Sequence, residues 1–233
     1  MSPVFYGASA KAYAGSSVAG GDVDGDGLAD IIIGAPGDGG VGSMKVYNLA
    51  NNLLLNMSGE SPKSQFGKSV AVGDVNNDGI ADVIVGAPGD DDIANMRKDA
   101  GSVSVFYGND ALPPVMQYGE VAKAALGASV AAGDVDADGY EDVIAGAPKD
   151  DKPGVHKAIM DVGSVSLWSG KNHAQIGSAL YGGVAKDYFG SAIAAGDINS
   201  DGRADLVIGV PGFDFDKLNK DAGKVVLYSG EGF

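Results

Sequence analysis

The stretch GDVDGDGLADIIIGAPGD, from Gly21 to Asp38, recurs three more times along the chain. The other copies are GDVNNDGIADVIVGAPGD from Gly73, GDVDADGYEDVIAGAPKD from Gly133 and GDINSDGRADLVIGVPGF from Gly196. Internal repeats with a period of tens of residues are typical of architectures in which each copy forms one structural unit. The repeat therefore determines how the chain is organised.

The first three copies contain four segments with the pattern of short β-strands, and the last copy contains three. A run such as SVAVG precedes the acidic stretch and ADVIVGAP ends it, a variable loop leads to a run such as GSVSVFYG, and a weaker run such as LLLNM closes the unit. The first run alternates small and apolar residues, whereas the second is apolar on both faces, as in a strand that is covered on both sides. Four-stranded antiparallel units in tandem predict an all-β fold, a β-propeller in which each unit is one blade.

The two ends of the chain contain matching strands. Residues 4–22 align without a gap with residues 179–197, so Val4 to Tyr6 correspond to a fourth strand, whereas the last unit stops after its third strand. We expect the N-terminal strand to complete the last blade, because this pairing would remove an exposed sheet edge. A monomeric ring of four blades is the favoured prediction. Two chains that pair into a larger ring, or a piece of a longer propeller, are the alternatives.

The acidic stretch has the pattern of a metal-binding loop. Counted from its first aspartate, Asp or Asn occupies positions 1, 3, 5 and 9, glycine occupies position 6, and position 7 varies, so that it offers only its backbone carbonyl. Such oxygen ligands suit Ca²⁺, a hard cation that takes about six to eight of them, better than Mg²⁺, which keeps several waters. The loop is not an EF-hand, because position 12 lies in a strand and is not glutamate.

The sequence predicts about four Ca²⁺ ions, one for each blade, with a structural role. A hairpin turn without metal is the alternative, since Asp, Asn and Gly favour turns, but four copies of one ligand pattern favour the metal. The candidate ligands are Asp22, Asp24, Asp26, Leu28 and Asp30; Asp74, Asn76, Asp78, Ile80 and Asp82; Asp134, Asp136, Asp138, Tyr140 and Asp142; and Asp197, Asn199, Asp201, Arg203 and Asp205.

Composition excludes several classes of function. The formal net charge of −15 argues against a nucleic-acid partner, which requires a basic surface. No apolar run reaches the roughly 18 residues of a membrane span. The chain has no cysteine and only two, widely separated, histidines, so no nucleophile–base pair for catalysis is visible. We therefore predict that the protein is not an enzyme.

The segment FGKSVAVGDVNNDGIADVIVGAP, from Phe66 to Pro88, resembles the FG-GAP repeat of integrin α-subunit propellers and their prokaryotic relatives. The Phe-Gly pair is kept in the second and fourth copies and weakened in the other two, and Gly-Ala-Pro becomes Gly-Val-Pro in the last copy. The resemblance covers nearly all of the chain. It departs from integrins in blade number, because integrin propellers have seven blades and four repeats are present here.

The resemblance implies a single propeller domain over residues 1–233, with blades at about 15–59, 66–118, 126–181 and 189–230 plus 4–6. It also implies Ca²⁺ in the hairpin loops on one face and ligand binding by loops on the opposite face. The ligand-binding loops would be 37–41, 90–100, 149–162 and 212–222, joined by the connections 59–65 and 119–125.

The resemblance further implies an extracellular or cell-surface adhesion or protein-recognition module, with a protein or glycan partner on the long-loop face. A propeller-type enzyme or accessory domain that acts on polysaccharide is one alternative, and a structural assembly subunit is another. Trp168 lies in a strand (SLWSG), where packing is the first expectation and a role as a ligand-stacking platform is the second.

Overall fold

The computed structural model describes residues 4–108, 112–152 and 159–233, and these form four antiparallel sheets in chain order. The first sheet contains β1 (Ser17–Gly21), β2 (Asp30–Ala35), β3 (Ser43–Tyr47) and β4 (Leu53–Ser58). The second contains β5 (Ser69–Gly73), β6 (Asp82–Ala87), β7 (Ser102–Phe106) and β8 (Val115–Tyr118). The third contains β9 (Ser129–Gly133), β10 (Asp142–Ala147), β11 (Ser164–Trp168) and β12 (Leu180–Tyr181). The fourth contains β13 (Ala192–Gly196), β14 (Asp205–Val210) and β15 (Lys224–Tyr228).

Each sheet is a simple meander in which every strand pairs with the next strand of the chain. The only helices in the described residues are two short 3₁₀ turns, Asp38–Gly40 and Gly230–Gly232. The prediction of an all-β fold built from repeated antiparallel sheets is confirmed. Each sheet is hereafter called a blade and is numbered in chain order.

The hydrophobic core consists of three clusters, each of which lies between two successive blades. The second strands supply the middle of these clusters, and Ile32, Ile84 and Ile144 are completely buried. These strands are covered on both faces because each blade packs between its neighbours, which explains why their sequence is apolar at consecutive positions.

The two glycine motifs meet where successive blades touch. A side chain at Gly34 would overlap the carbonyl oxygen of Gly67 in the next blade, and the same is true of Gly86 with Gly127 and of Gly146 with Gly190. The glycine after the Phe position also has a left-handed backbone, with φ +81° at Gly67. The glycine of Gly-Ala-Pro therefore permits the close approach of two backbones between blades.

The four blades form an open series. The first strands pack in the order β1, β5, β9 and β13, and no packing of similar extent joins β13 back to β1 within the described residues. Both ends of the series consequently present an apolar face to solvent. Val18 on the first blade is 64% exposed, and Val225 on the fourth blade is 70% exposed.

The position of the N-terminal segment corrects one prediction. Val4 to Tyr6 form no strand, and the fourth blade has three strands in the described residues. The segment packs on the outer face of the first blade, where the ring of Phe5 lies 4.6 Å from that of Tyr47. Because the first and fourth blades do not stack, this segment cannot reach β15, and it covers the nearest apolar surface.

Candidate metal loops and recognition face

The four acidic loops join the first and second strands of their blades and share one backbone conformation. Position 6 is left-handed in each of them, with φ between 86° and 89°. Position 4 is left-handed as well, with φ 75° at Gly25, 56° at Asn77, 60° at Ala137 and 65° at Ser200. The repeated sequence therefore folds into the same turn four times, even where position 4 is not glycine.

The aspartate at position 1 organises each turn. In the first loop, one oxygen of Asp22 accepts the N–H of Asp26 at 3.1 Å and the other accepts the N–H of Gly27 at 2.8 Å. The corresponding bonds recur in the other three loops, at 2.9 to 3.2 Å. The side chains at positions 3 and 5 accept backbone N–H groups two residues further on, at 3.1 Å and 2.8 Å in the first loop. Oxygen atoms from alternate positions thus converge inside the turn.

The loops fall into two chemical classes. In the first and third loops, carboxylate oxygens from positions 1, 3 and 5 lie within 4.8 Å of one another; these groups are Asp22, Asp24 and Asp26, and Asp134, Asp136 and Asp138. In the second and fourth loops, position 3 is asparagine. Its amide donates a hydrogen bond to the aspartate at position 5, at 2.8 Å from Asn76 and 2.7 Å from Asn199. The first class presents three carboxylates in one small volume, and the second presents two.

The aspartate at position 9 is placed differently from the other candidate ligands. Asp82 accepts the N–H of Val75 with one oxygen and the N–H of Gly108 with the other, both at 2.9 Å. Asp142 is bonded in the same way in the third blade. These carboxylates tie the hairpin to the end of the third strand. They are not members of the compact three-carboxylate groups, so sequence spacing brings together positions 1, 3 and 5 but not position 9.

Burial raises the pKa of the position 9 carboxylates in the first three blades. It raises the pKa of Asp82 and of Asp142 to about 6, because transfer out of water disfavours the charged form. Burial also raises the pKa of Asp30. In the fourth blade, whose outer side is open, the hydrogen bond from the N–H of Gly230 lowers the pKa of Asp205.

The side chains at position 7 have no common role. Leu28 is exposed, the Nζ of Lys171 lies over the ring of Tyr140 at 5.2 Å, and Arg203 donates to the carbonyl of Val135 at 3.2 Å. This variety is consistent with a position that offers only its backbone carbonyl to a metal.

Backbone hydrogen bonds connect each acidic loop to the next blade. The carbonyl of Asp22 accepts the N–H of Ala81 at 2.8 Å, and that of Asp134 accepts the N–H of Ala204 at 2.7 Å. The carbonyl of Asp74 accepts the N–H of Glu141 at 3.1 Å, and the Glu141 carboxylate in turn accepts the N–H of Asp74 at 3.2 Å. Neighbouring acidic loops are therefore bonded directly to one another.

The loops between second and third strands lie at the opposite end of the blades. They contact the connections between blades, as predicted for one continuous surface: Lys63 donates its N–H to Gly40 at 2.8 Å and Lys123 donates to Lys98 at 2.9 Å. Residues 153–158 of the third loop lie outside the described residues. This surface is hereafter called the long-loop face.

Buried carboxylates hold the bases of these loops, a feature that the sequence analysis missed. Asp90 accepts the hydroxyl of Ser102 at 2.7 Å, and Asp150 accepts that of Ser164 at 2.6 Å. The first blade repeats this contact between Asp38 and Ser43, at 2.9 Å. The signal was an aspartate two residues after the proline of Gly-Ala-Pro, followed by a serine at the start of the third strand.

The tips of the long loops expose large apolar side chains. Ile93 and Met96 of the second loop are 80% and 91% exposed, and Leu218 of the fourth loop is 93% exposed. Met160 and Phe215 are exposed nearby in the third and fourth loops. Beneath the tip of the second loop, Asp92 forms an ion pair with Arg97 at 2.8 Å. Apolar tips on an ordered base are typical of a recognition surface.

None of the helices in the described part of the chain has the length and apolar character of a membrane span.

A family model described as FG-GAP repeat matches the chain in four segments, residues 14–48, 66–106, 126–166 and 189–228. Integrin alpha-IIb of Mus musculus is 31% identical over 240 residues, which cover 98% of this chain and 22% of the relative. Integrin alpha-8 of Mus musculus is 30% identical over 226 residues, which cover 93% of this chain and 20% of the relative. The chain thus spans about a fifth of the length of these relatives.

Among solved structures, the crystal structure of rhamnogalacturonan lyase YesW superimposes with a TM-score of 0.50 at 15% sequence identity. The match covers 82% of this chain and 39% of the lyase. At this identity the likeness concerns the fold alone.

Proposed function

Because the chain belongs to the FG-GAP repeat family, we propose that it is a calcium-stabilised, non-enzymatic module for adhesion or protein recognition outside the cell. The observation that carries this proposal is the set of exposed apolar tips on the long-loop face. Methionine and large aliphatic side chains at such positions adapt to a partner surface and gain free energy when a protein covers them. They favour protein recognition over the chemistry of a polysaccharide-degrading enzyme.

The donor set of the acidic loops supports Ca²⁺. The side chains at positions 1, 3, 5 and 9 all offer oxygen, and the carboxylates of positions 1, 3 and 5 already converge in two of the loops. We propose that these positions and the carbonyl of position 7 hold the ion, with the aspartate of position 9 beside them. A divalent cation would also offset the mutual repulsion of the clustered carboxylates and the cost of burying Asp82 and Asp142. The role of the ion would be structural, since it occupies turns and not the long-loop face.

An extracellular location fits the proposed calcium sites. Sites with a limited number of charged ligands bind Ca²⁺ with dissociation constants of about 10⁻⁴ to 10⁻³ M in extracellular modules, where the free ion is abundant. The similarity to integrin alpha chains of animals supports the same location.

We also propose how copies of the chain assemble. The chain is proposed to form a single domain over residues 1–233, and its two outer faces are proposed to be covered by a second copy of this chain. The outer face of the first blade occupies the same position in the repeat as the faces that the later blades present to their predecessors. The fourth blade of one copy could therefore pack on the first blade of another. The open series favours this arrangement over the monomeric ring.

An array of purified extracellular and cell-surface proteins, probed with the labelled chain in the presence of Ca²⁺, tests the recognition role. We expect binding to at least one protein of the array to be lost in the double variant Met96→Asp/Leu218→Asp, which places charges on two loop tips. Leu49→Asp is the matched control, since Leu49 is exposed in the hairpin after β3, at the acidic-loop end. Binding that is absent, or that the two variants reduce equally, would contradict the proposal.

A further inference from the structure

The groove between the second and third blades contains a cavity that is larger than its equivalent between the first and second blades. It has a volume of about 280 Å³ and lies between β8 of the second blade and β11 and β12 of the third. It is distinct from the acidic loops and from the apolar loop tips. Polar and aromatic side chains make up most of its lining, which also includes Ala124, Leu126, Ala147 and Ala179. A gap left by poor packing would be lined by apolar atoms alone.

The equivalent position between the first and second blades is apolar and much smaller. Met57, Phe106 and Met116 fill it and leave about 100 Å³. Between the third and fourth blades, aromatic side chains such as Phe189 and Tyr228 meet edge to face, with ring centroids 6.2 Å apart. Because the repeats would otherwise pack alike, the open polar groove results from the side chains that are particular to it.

The aromatic platform of the cavity is Trp168, which is half-buried on the last residue of β11. The backbone of Gln175 pairs with that of Trp168 in an isolated antiparallel bridge, and both residues line the cavity. Ser166 and Gln117 add a hydroxyl and a second amide to the lining. An aromatic face surrounded by groups that both donate and accept hydrogen bonds is suited to a flat ligand with many hydroxyls.

Two carboxylates complete the lining. Glu120 is exposed at the mouth, and Asp150 is buried and held by the hydroxyls of Ser164 and Tyr181. Burial raises the pKa of Asp150 and of Tyr181. The carboxylates disfavour an anionic ligand. The Nζ of Lys152, 5.9 Å from the centroid of the Tyr181 ring, partly offsets their attraction for a cation.

We propose that this groove binds an uncharged sugar, with one pyranose ring packed on Trp168 and its hydroxyls bonded to Gln175, Gln117 and Glu120. The C–H face of a pyranose is apolar enough to cover an indole ring, while its hydroxyls require the amide and carboxylate oxygens. The cavity volume lies just below the roughly 300 Å³ at which small-molecule pockets begin, so it suits one or two sugar units. This site does not depend on the proposed protein-recognition role.

The fluorescence of Trp168 provides a direct test, because it is the only tryptophan of the chain. The full chain in Ca²⁺ is titrated with D-glucose, D-galactose, D-mannose and cellobiose, and with galacturonate and tetramethylammonium as charged probes. We expect a saturable change in emission with at least one neutral sugar. No saturable change with any of the four, or saturation only with a charged probe, would overturn the proposal.

Substitution of one amide identifies the site. Gln175→Ala keeps the tryptophan reporter and removes one hydrogen-bonding partner, so the half-saturating concentration should rise about fivefold to tenfold. Asn52→Ala is the matched control, since Asn52 is an exposed amide of the first blade, and it should bind like the unsubstituted chain. Thermal melts of both variants establish that they fold. Equal affinity in the two folded variants would place the sugar elsewhere and refute the assignment.

Discussion

At the scale of single residues, the glycine of each Gly-Ala-Pro motif lies in contact with the neighbouring blade. Gly86 has no room for a side chain, because a Cβ would overlap the carbonyl oxygen of Gly127. This contact gives the two glycine motifs one physical reason to occur together. The backbone of one blade packs directly on that of the next, and any added atom must separate them.

The substitution Gly86→Ala should lower the free energy of unfolding by about 3 kcal/mol, because a backbone oxygen cannot move aside as a flexible side chain can. Urea denaturation in saturating Ca²⁺ measures the effect. Gly183→Ala is the control, since Gly183 has open space at its Cβ position and no left-handed φ. If the two variants were equally stable, close packing at Gly86 would not be the reason for the motif.

Ala137 carries backbone strain at position 4 of the third acidic loop. Its φ of 60° is a left-handed conformation that an L-residue with a Cβ adopts at a cost. We expect Ala137→Gly to raise the free energy of unfolding by about 0.5 to 1 kcal/mol. Ala122→Gly, at an exposed position without a left-handed φ, should leave stability unchanged or lower it. A loss of stability in Ala137→Gly would contradict this description of the turn.

At the scale of elements, the two classes of acidic loop should differ in calcium affinity. A loop with three carboxylates attracts a divalent cation more strongly than one with two, and ligand charge is a main determinant of affinity in calcium loops. The first and third loops should therefore fill before the second and fourth. Isothermal titration calorimetry should resolve two classes of sites.

Asn76→Asp should convert the second loop to the stronger class. The new carboxylate replaces the amide that donates to Asp78. The affinity of the loop for Ca²⁺ should therefore rise. Without Ca²⁺ the free energy of unfolding should fall, because the like charges repel. Gln65→Glu makes the same change of charge at an exposed position of the long-loop face, at the opposite end of the blades, and should alter neither property. An unchanged calcium titration of Asn76→Asp would mean that position 3 is not a ligand.

Sequence reasoning predicted the strands and acidic turns because their determinants are local. Alternation of residues, the apolar second strands and the fixed position of glycine in the turn each depend on a few consecutive residues. The carboxylates that hold the long loops were missed because Asp90 and Ser102 meet only after the loop has folded. The aspartate at position 9 was grouped with its neighbours by spacing. In the structure, one oxygen of Asp82 accepts an N–H at the end of the third strand, and the other accepts an N–H within the acidic loop.

The predicted placement of Val4 to Tyr6 was wrong because it depends on how all four blades stack. Sequence identity between the two ends shows that the segments are equivalent in the repeat, but it does not fix the angle at which blades stack. That angle depends on packing over the entire interface, including the close contacts at the glycines. An open series leaves the N-terminal segment on part of the outer face of the first blade, and it leaves other residues of the two outer faces, such as Val18 and Val225, exposed.

The uncovered outer faces predict that the chain self-associates. Two copies would have twice the monomer mass of 23.3 kDa, or about 47 kDa. Leu227→Asp places a charge on the exposed outer face of the fourth blade and should shift the mass toward that of one chain, whereas Leu49→Asp should not. Light scattering coupled to size-exclusion chromatography measures the mass of the unsubstituted protein and of both variants. A single-chain mass for the unsubstituted protein at all concentrations would contradict association through these faces.

We propose that calcium in the repeated loops stabilises the whole stack of blades. Each site that is filled at 100 times its dissociation constant adds about 2.7 kcal/mol to the free energy of unfolding, and hydrogen bonds between loops and neighbouring blades spread this effect along the chain. Thermal unfolding with Ca²⁺ and with EGTA measures it most directly. We predict a melting temperature at least about 10 °C higher with Ca²⁺, and a much smaller gain with Mg²⁺. The same melting temperature in Ca²⁺ and in EGTA would contradict the claim.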